Sequence, residues 1–225
     1  VSVLRSFQKA FKGVPNARLV VKTQNRDSVF DPVQMNLWDQ VEALIKSDKR
    51  IVIMNETLSY QDLLRLKCGS DCYISLHKSE GWGFGMIEAM NLGVPVVCTG
   101  YSGNMDFCSD KTAWLVDYDE VLLKPEEYIF VRRGSVWAEP RIEHAAQQLR
   151  AVYDDPVERA KRAKAVGATP LDDVPGVGAA RKRALLAHFG SAKAVGRANL
   201  ADLKAVEGIS ANMAQTVYDY FHEKG

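Results

Sequence analysis

Short β-rich runs alternate with segments of helical periodicity over residues 1–165. The sequence predicts strands at 19–22, 51–54, 72–76, 95–98 and 113–116, and helices at 39–47, 59–68 and 86–92. Strands separated by helices in this rhythm form βαβ units, so we expect a parallel sheet with helices on both faces. A helical stretch over 140–165 closes the region. Residues 1–165 are therefore predicted to be an α/β domain.

The pattern changes to glycine-punctuated helices, with no predicted strand, over 166–225. The segment 174–178 precedes a predicted helix over 179–189. About thirty residues later, the segment 206–210 precedes another over 211–221. Each copy joins an apolar residue, a tight glycine turn and a new helix. We expect a small all-α domain here, reached through a linker at 165–170.

Composition excludes several classes of protein. The 225 residues carry a formal net charge of +1 and are 47% hydrophobic, which leaves little room for long disordered tracts. No run of about 18 apolar residues exists that could span a membrane. The N-terminus lacks the basic start and apolar stretch of a signal peptide, and the first residue is not Met. We therefore expect a cytoplasmic protein and a fragment of a longer parent.

The four cysteines, Cys68, Cys72, Cys98 and Cys108, fit neither a secreted disulfide framework nor a paired C-x-x-C zinc site. Reduced thiols are the expectation. A metal site built from Cys68, Cys72 and His77 is the weaker alternative, because Cys72 lies in an apolar, strand-like run.

The densest chemical signal is the segment 79–90 (SEGWGFGMIEAM), which follows the predicted strand 72–76. A glycine-rich turn between a strand and a helix presents backbone N–H groups and the positive end of a helix dipole to an anion such as a diphosphate. Glu80 at the loop mouth and Glu88 in the helix can accept hydrogen bonds from a polyhydroxyl ligand. The alternative is an ordinary tight turn.

The wider context is more specific than this loop alone. The segment 93–97 (GVPVV) leads into the small-residue turn 99–104, and Trp-Ala-Glu-Pro follows at 137–140. With these features, residues 3–165 resemble the donor-binding domain of retaining glycosyltransferases of the GT-B fold, the family marked by Glu-x7-Glu. The resemblance implies a Rossmann-like parallel sheet and a nucleoside-diphosphate sugar as donor. It also implies transfer with retained anomeric configuration and no required metal or other cofactor.

The resemblance assigns roles to five residues of the loop. Glu80 takes the catalytic position near the hydroxyls of the transferred sugar, and Glu88 the position that holds the ribose hydroxyls. Gly83, Phe84 and Gly85 match the loop whose amides meet the sugar and the diphosphate. Catalysis in such enzymes depends on stabilising the departing diphosphate with fixed cations and amides.

Other parts of the family pattern are harder to assign. Asn55 begins the turn expected to lie against the base. The N-terminal acceptor-binding domain is expected upstream of Val1, together with the loop that carries basic residues against the diphosphate. No Arg or Lys within 1–12 lies at a strand-to-helix turn, and Lys78 is expected to be a solvated lysine. This half is thus expected to bind a nucleotide sugar without being a complete enzyme.

The first glycine turn of the second half suits phosphate binding. Gly176, Val177 and Gly178 place successive N–H groups at the start of a helix, where they can clasp a backbone phosphate without reading a base. Arg181 and Lys182 follow closely and can add positive charge to the same phosphate.

The second turn, formed by Gly208, Ile209 and Ser210, has no neighbouring cation, although Ser210 and Asn212 can donate hydrogen bonds. Simple helix capping is the alternative, and two copies at matching offsets argue against it. The stretch 169–223 resembles the C-terminal double helix-hairpin-helix domain of the UvrC family of excision-repair endonuclease subunits. The resemblance implies non-sequence-specific DNA binding, especially at junctions of single strand and duplex, and no cleavage.

Charge limits the strength of that binding. Residues 166–225 hold seven Lys or Arg against six Asp or Glu, a net of +1. A module that neutralises few phosphates binds DNA modestly and with a strong dependence on salt.

Three hypotheses follow. The favoured one is a donor-domain fragment of a glycosyltransferase joined to a DNA-binding module as an artificial or accidental fusion, a chimera, because both halves carry specific motifs and both resemble truncated pieces of larger parents. The second is a DNA-binding or repair-type protein whose α/β half only binds a nucleotide. The third is a glycosyltransferase that obtains its acceptor domain from another subunit. The sequence leaves open the base and sugar of the donor, the acceptor, communication between the halves and the oligomeric state.

Overall fold

The computed structural model describes residues 1–124, 127–128, 131–166, 169–189 and 192–222. The chain divides into two compact units, Val1–Val166 and Gly167–Gly225. The elements of the first unit are α1 (Ser2–Ala10), β1 (Leu19–Thr23), α2 (Pro32–Ser47), β2 (Ile51–Asn55), α3 (Tyr60–Cys68), β3 (Tyr73–Ser75), α4 (Phe84–Asn91), β4 (Val96–Thr99), β5 (Trp114–Val116), β6 (Tyr118–Leu122), β7 (Val136–Pro140), α5 (Ile142–Asp154) and α6 (Pro156–Val166).

Strands β1 to β5 of the first unit form two parallel sheets. β1 pairs with β2, and β4 lies between β3 and β5. All four residues of β4 are buried, as expected for a central parallel strand covered on both faces. One hydrophobic core joins residues of both sheets with residues of α1 and α5. It includes Phe7, Ile51, Val97, Trp114 and Leu149. The predicted Rossmann-like α/β arrangement is confirmed.

One predicted helix boundary was wrong, and the predicted helical stretch 140–165 is divided in two. α2 begins at Pro32 rather than at 39, because the Asp31 carboxylate accepts a hydrogen bond from the Gln34 N–H at 3.0 Å and proline suits the first helical position. The stretch 140–165 is two helices, since Pro156 cannot donate to the helical ladder of α5. Asp155 instead caps α6 by accepting from the Glu158 N–H at 2.8 Å.

The helix α1 and the strands β6 and β7 of the first unit were absent from the predictions. α1 packs against α5, where Leu4 and Phe7 are buried and Lys9 pairs with Glu143 at 2.6 Å. β6 and β7 form an antiparallel hairpin outside the predicted parallel sheet, with Val121 opposite Trp137.

The second unit contains helices joined by short turns, and its described residues include no strand. A 3-10 turn (Pro170–Asp173) precedes α7 (Ala179–Phe189), α8 (Ala192–Arg197), α9 (Leu200–Lys204) and α10 (Ala211–His222). Its core is separate from that of the first unit and includes the fully buried Leu171, Leu185, Leu203 and Val217. The predicted small all-α region is confirmed. Within the described parts of the chain, no helix is both long and apolar enough to cross a membrane.

Candidate functional site

The loop between β3 and α4 is shaped by its glycines. Gly83 opens α4 with φ at +92°, a left-handed conformation that glycine adopts without strain. A Cβ on Gly85 would overlap the hydroxyl of Tyr73, whereas a Cβ on Gly81 would meet nothing within 4 Å. The chain's own packing therefore requires Gly83 and Gly85. The space above Gly81 is open, and Phe84 is 72% exposed.

Glu80 is held mainly through its backbone. Its carbonyl accepts hydrogen bonds from the Ser102 hydroxyl at 2.7 Å and from the Gly103 N–H at 3.1 Å. Its side-chain Oε1 accepts from the Gly81 N–H at 3.0 Å. The half-buried carboxylate is thus folded back over the glycine-rich loop.

Glu88 is held by two side chains of α3 that sequence reasoning missed. The buried ammonium of Lys67 contacts Oε2, and the Tyr60 hydroxyl donates to Oε1 at 3.1 Å. The hydrogen bond from Lys67 is the main cause that lowers the pKa of Glu88, so its carboxyl is ionised at neutral pH. The periodicity of α3 places Tyr60 and Lys67 about two turns apart on one face, but it does not indicate that this face contacts Glu88.

Both carboxylates lie near one phenol. Burial raises the pKa of Tyr73, and the negative charges of Glu80 and Glu88 raise it further. Tyr73 begins β3 and packs against Gly85, which lies in the chain between the two predicted glutamates.

Asn55 occupies the end of β2, and its amide is already engaged. Its Oδ1 accepts from the Arg26 N–H at 3.2 Å, and its Nδ2 donates to Asp27 at 3.2 Å. Asn55 thus fixes the 3-10 turn that follows β1. Arg26 in that turn pairs with Glu42 and lies 5.1 Å from the ring centroid of Trp38. A contact of Asn55 with a base stays a prediction.

His77 joins the loop after β3 to the loop after β4. Its Nε2 lies 3.0 Å from both the Tyr101 carbonyl and the Asn104 Oδ1, while its Nδ1 lies 3.2 Å from the Ser75 hydroxyl. Two acceptors face Nε2, so that nitrogen carries the proton. Asn104 is fully buried and donates to the Thr99 carbonyl at 3.1 Å. Sequence reasoning considered His77 only as a metal ligand.

Lys78 is not the solvated lysine that the sequence suggested. Its ammonium lies 2.5 Å from the Glu139 carboxylate and 4.2 Å from the ring centroid of Trp137. Opposite charge and an aromatic face on β7 together offset its loss of solvent. The correction follows from the β6–β7 hairpin, which the sequence did not predict.

A separate cleft of about 520 Å³ lies at the start of α5, away from the glycine loop. Asp117, Asp119, Glu139, Arg141 and His144 are among its lining residues. Arg141 pairs with Asp119, and the His144 Nδ1 accepts a hydrogen bond from the Asp117 N–H at 3.0 Å. Asp119 is thus paired within the wall of the cleft, whereas Glu139 pairs with Lys78.

All four cysteines are free thiols. Burial is the main cause that raises the pKa of Cys72 to about 12, which keeps that thiol protonated. Across the described ranges, no group of three or more His, Cys, Asp or Glu residues is arranged to hold a metal ion.

The two glycine turns of the second unit share one geometry. Gly176 and Gly208 have φ values of +81° and +82°. The following apolar residues, Val177 and Ile209, are buried, and each donates its N–H to the carbonyl three residues earlier, at 3.0 and 3.1 Å. The internal repeat seen in the sequence is therefore a repeat in backbone conformation.

The polar groups around these turns are partly committed to the fold. Arg181 donates to the Gly176 carbonyl at 2.7 Å, which places its guanidinium beside the first turn. Lys182 pairs with both oxygens of Asp172, at 2.8 and 2.6 Å, and this hydrogen bonding is the main cause that lowers the pKa of Asp172. The Ser210 Oγ accepts from the Met213 N–H at 3.2 Å and caps α10.

The parallel α/β unit and its glycine loop define the donor-domain fold of GT-B glycosyltransferases. The "Glycosyl transferases group 1" family model matches residues 10–168, and the "Helix-hairpin-helix motif" model matches 173–225. The chain belongs to the glycosyl transferases group 1 family, with a helix-hairpin-helix region after that domain.

Solved structures share the fold of the first unit at low sequence identity. The C-terminal domain of a group 1 glycosyl transferase (LpcC) from Francisella tularensis is 17% identical, has a TM-score of 0.54, and 73% of each chain is covered. The Anabaena protein Alr3699/HepE, solved in complex with UDP and glucose, is 13% identical with a TM-score of 0.51. The match covers 74% of this chain and 40% of that one.

The second unit is similar to a short part of much longer proteins. UvrABC system protein C of Ruegeria pomeroyi is 83% identical over 65 residues, and that of Novosphingobium aromaticivorans is 57% identical over 67 residues. These matches cover 29% and 30% of this chain and 10% of each relative. The chain therefore spans a tenth of the length of those relatives, and its second unit is UvrC-like.

Proposed function

We propose that the first unit binds a nucleoside-diphosphate sugar, as the donor half of a retaining glycosyltransferase, and that the second unit binds DNA without reading its sequence. The observation that carries the first part is the built loop: the left-handed Gly83 opens α4, Ser102 fixes the backbone of Glu80 at the start of the loop, and Lys67 fixes the Glu88 carboxylate. This arrangement offers backbone donors for a diphosphate and carboxylate acceptors for sugar hydroxyls.

The chemistry of the loop suits each part of such a donor. The first N–H groups of a helix have no partner within that helix, and the dipole of α4 favours an anion there. Open space above Gly81 admits a phosphate or sugar ring close to the backbone. Glu88 is held ionised by Lys67 and can accept both hydroxyls of a ribose, with Tyr60 giving up its bond to Oε1.

For this chain we propose donor binding rather than complete transfer. A departing diphosphate needs fixed positive charge, and two cations at this edge, Arg26 and Lys78, are each paired with a carboxylate. No metal or other cofactor is required in this proposal. The UDP and glucose bound to the Anabaena HepE structure support this class of ligand.

Gly81→Ala tests the donor site. The new Cβ meets nothing in the protein but enters the space proposed for the ligand, so we expect unchanged stability and about tenfold weaker binding of the donor. Calorimetric titration with UDP-, GDP- and ADP-sugars measures this. Gly178→Ala, also in open space but in the second unit, is the matched control. If Gly81→Ala and the parent chain bind the nucleotide sugar equally well, this loop is excluded as the donor site.

Gly178→Glu tests the DNA site. Gly178 does not have a positive φ, and its Cβ would meet nothing within 4 Å, so a side chain is tolerated. A carboxylate at the amide turn should repel phosphate and abolish the low-salt gel shift of forked DNA. Gly178→Gln, which has the same size without the charge, should keep most of the shift. Retention of the full shift by the glutamate variant would show that the first turn does not bind DNA.

A further inference from the structure

Ser102, just after β4, has a backbone conformation that is nearly exclusive to glycine. Its φ is +79° and its ψ is −154°. Among the described non-glycine residues, only Asn25 shares a positive φ, and it lies in the ordinary left-handed region at +57°. Non-glycine residues in such regions persist only where the surroundings impose the conformation, and they concentrate at functional sites.

The hydroxyl of Ser102 forms hydrogen bonds with both backbone polar groups of Glu80. It donates to the Glu80 carbonyl at 2.7 Å and accepts from the Glu80 N–H at 3.3 Å. The next residue, Gly103, donates its N–H to the same carbonyl at 3.1 Å. Gly103 also lies so close to the Gly81 carbonyl that any Cβ would overlap it. Segment 102–103 is therefore docked tightly on segment 80–81.

The residues on either side of this strained position are fixed through His77. The Tyr101 carbonyl and the Asn104 Oδ1 both lie 3.0 Å from the same ring nitrogen. Asn104 is fully buried and bonded to the Thr99 carbonyl at the end of β4. Ser102 is thus held between two anchored neighbours and has no freedom to relax.

We propose that Ser102 is a positioning residue that fixes Glu80 for contact with the sugar of the donor. This inference rests on the proposed function, in which the Glu80 carboxylate meets the sugar hydroxyls. Groups that act on a substrate need close placement, and a small displacement weakens their effect strongly. The strained serine holds the Glu80 backbone in one place, which a relaxed glycine at the same position would not do.

Ser102→Gly and Ser102→Ala separate the effect of the Ser102 hydrogen bonds from the effect of its backbone strain. Both variants remove the hydroxyl, but only glycine adopts the positive φ of this position without strain. We expect Ser102→Gly to melt about 2–6 °C above Ser102→Ala. Both should bind a nucleotide sugar about tenfold more weakly than the parent chain does, because hydrogen bonds that order Glu80 are lost.

The bare nucleotide provides the readout that a merely structural role would not give. UDP, GDP and ADP lack the sugar that Glu80 contacts, so their affinities should change less than about twofold in either variant. Ser109→Ala, which removes a hydroxyl bonded to Thr112 in a nearby turn, should leave both affinities unchanged. The pairs to compare are UDP with UDP-glucose, GDP with GDP-mannose and ADP with ADP-glucose.

Each outcome decides between the two proposals. If the parent chain binds none of these nucleotides or sugars, the proposed function is overturned, and this inference falls with it. If the parent prefers a nucleotide sugar and Ser102→Gly keeps that preference, only the role of Ser102 is overturned. Loss of the preference, with bare-nucleotide affinity retained, supports the role.

Discussion

Lys67 determines the state of Glu88 at the scale of single residues. Its ammonium is buried, contacts the Glu88 carboxylate and lies 5.6 Å from the ring centroid of Tyr73. A buried ion pair that loses one partner leaves an uncompensated charge. Lys67 therefore favours the ionised form of Glu88 and fixes the orientation of its carboxylate.

Lys67→Met should change how stability depends on pH. Because the pKa of Glu88 is lowered in the folded state, its ionisation stabilises the fold above the ordinary carboxyl pKa, and this contribution is lost as pH falls through the folded value. Without Lys67, we expect the free energy of unfolding at pH 7 to fall by about 1–3 kcal/mol and to vary less between pH 7 and about pH 3. Urea unfolding at both pH values measures this.

Arg65→Met is the matched control on the same helix. Arg65 pairs with Asp62 at 2.9 Å, but both side chains are largely exposed, and such pairs contribute little. An equal loss of stability in the two variants would contradict the special role of Lys67.

The sequence predicted the two glutamates but not their partners. Glu80 and Glu88 stand out through their spacing and the intervening glycines, which are local signals. Lys67, Tyr60 and Ser102 reach the site from elsewhere in the chain, through contacts that no local pattern reveals.

At the scale of elements, α2 depends on its N-terminal cap. None of its residues is fully buried, so it gains less from packing than α5 does. The Asp31 carboxylate satisfies one of the N–H groups that a helix start leaves free.

Asp31→Ala should lower the free energy of unfolding by about 1 kcal/mol. Hydrogen exchange in the first turn of α2 should also become faster. Asp39→Ala, at an exposed position within the same helix, is the control and should change little. A loss in the control as large as in Asp31→Ala would show that general charge, not capping, is responsible.

Elements with strong local patterns were predicted, and elements made by distant pairing were not. β1 to β5 are apolar runs whose β-branched residues suit buried strands. β6 carries Asp119 and Glu120 and becomes a strand only because β7 pairs with it. The helix α1 is amphipathic but short, and its apolar face is specified by α5.

At the scale of the whole molecule, each unit has its own hydrophobic core. We expect two transitions in scanning calorimetry, because independent cores unfold cooperatively on their own. Leu185→Ala removes a fully buried side chain of the second unit and should lower only one transition. Leu149→Ala should lower only the other. Each substitution should lower the free energy of unfolding of its own unit by about 2–5 kcal/mol. Coupled shifts of both transitions in either variant would contradict the independence of the units.

Hydrogen exchange with and without a nucleotide sugar tests the central claim most directly. If the donor binds as proposed, the ligand should slow exchange of the amides at 81–85 and at 102–103, where the glycine loop and its clamp lie. Slower amide exchange only at the start of α5, where Arg141 and His144 line the other cleft, would contradict donor binding at the glycine loop. So would unchanged exchange throughout the chain at saturating ligand.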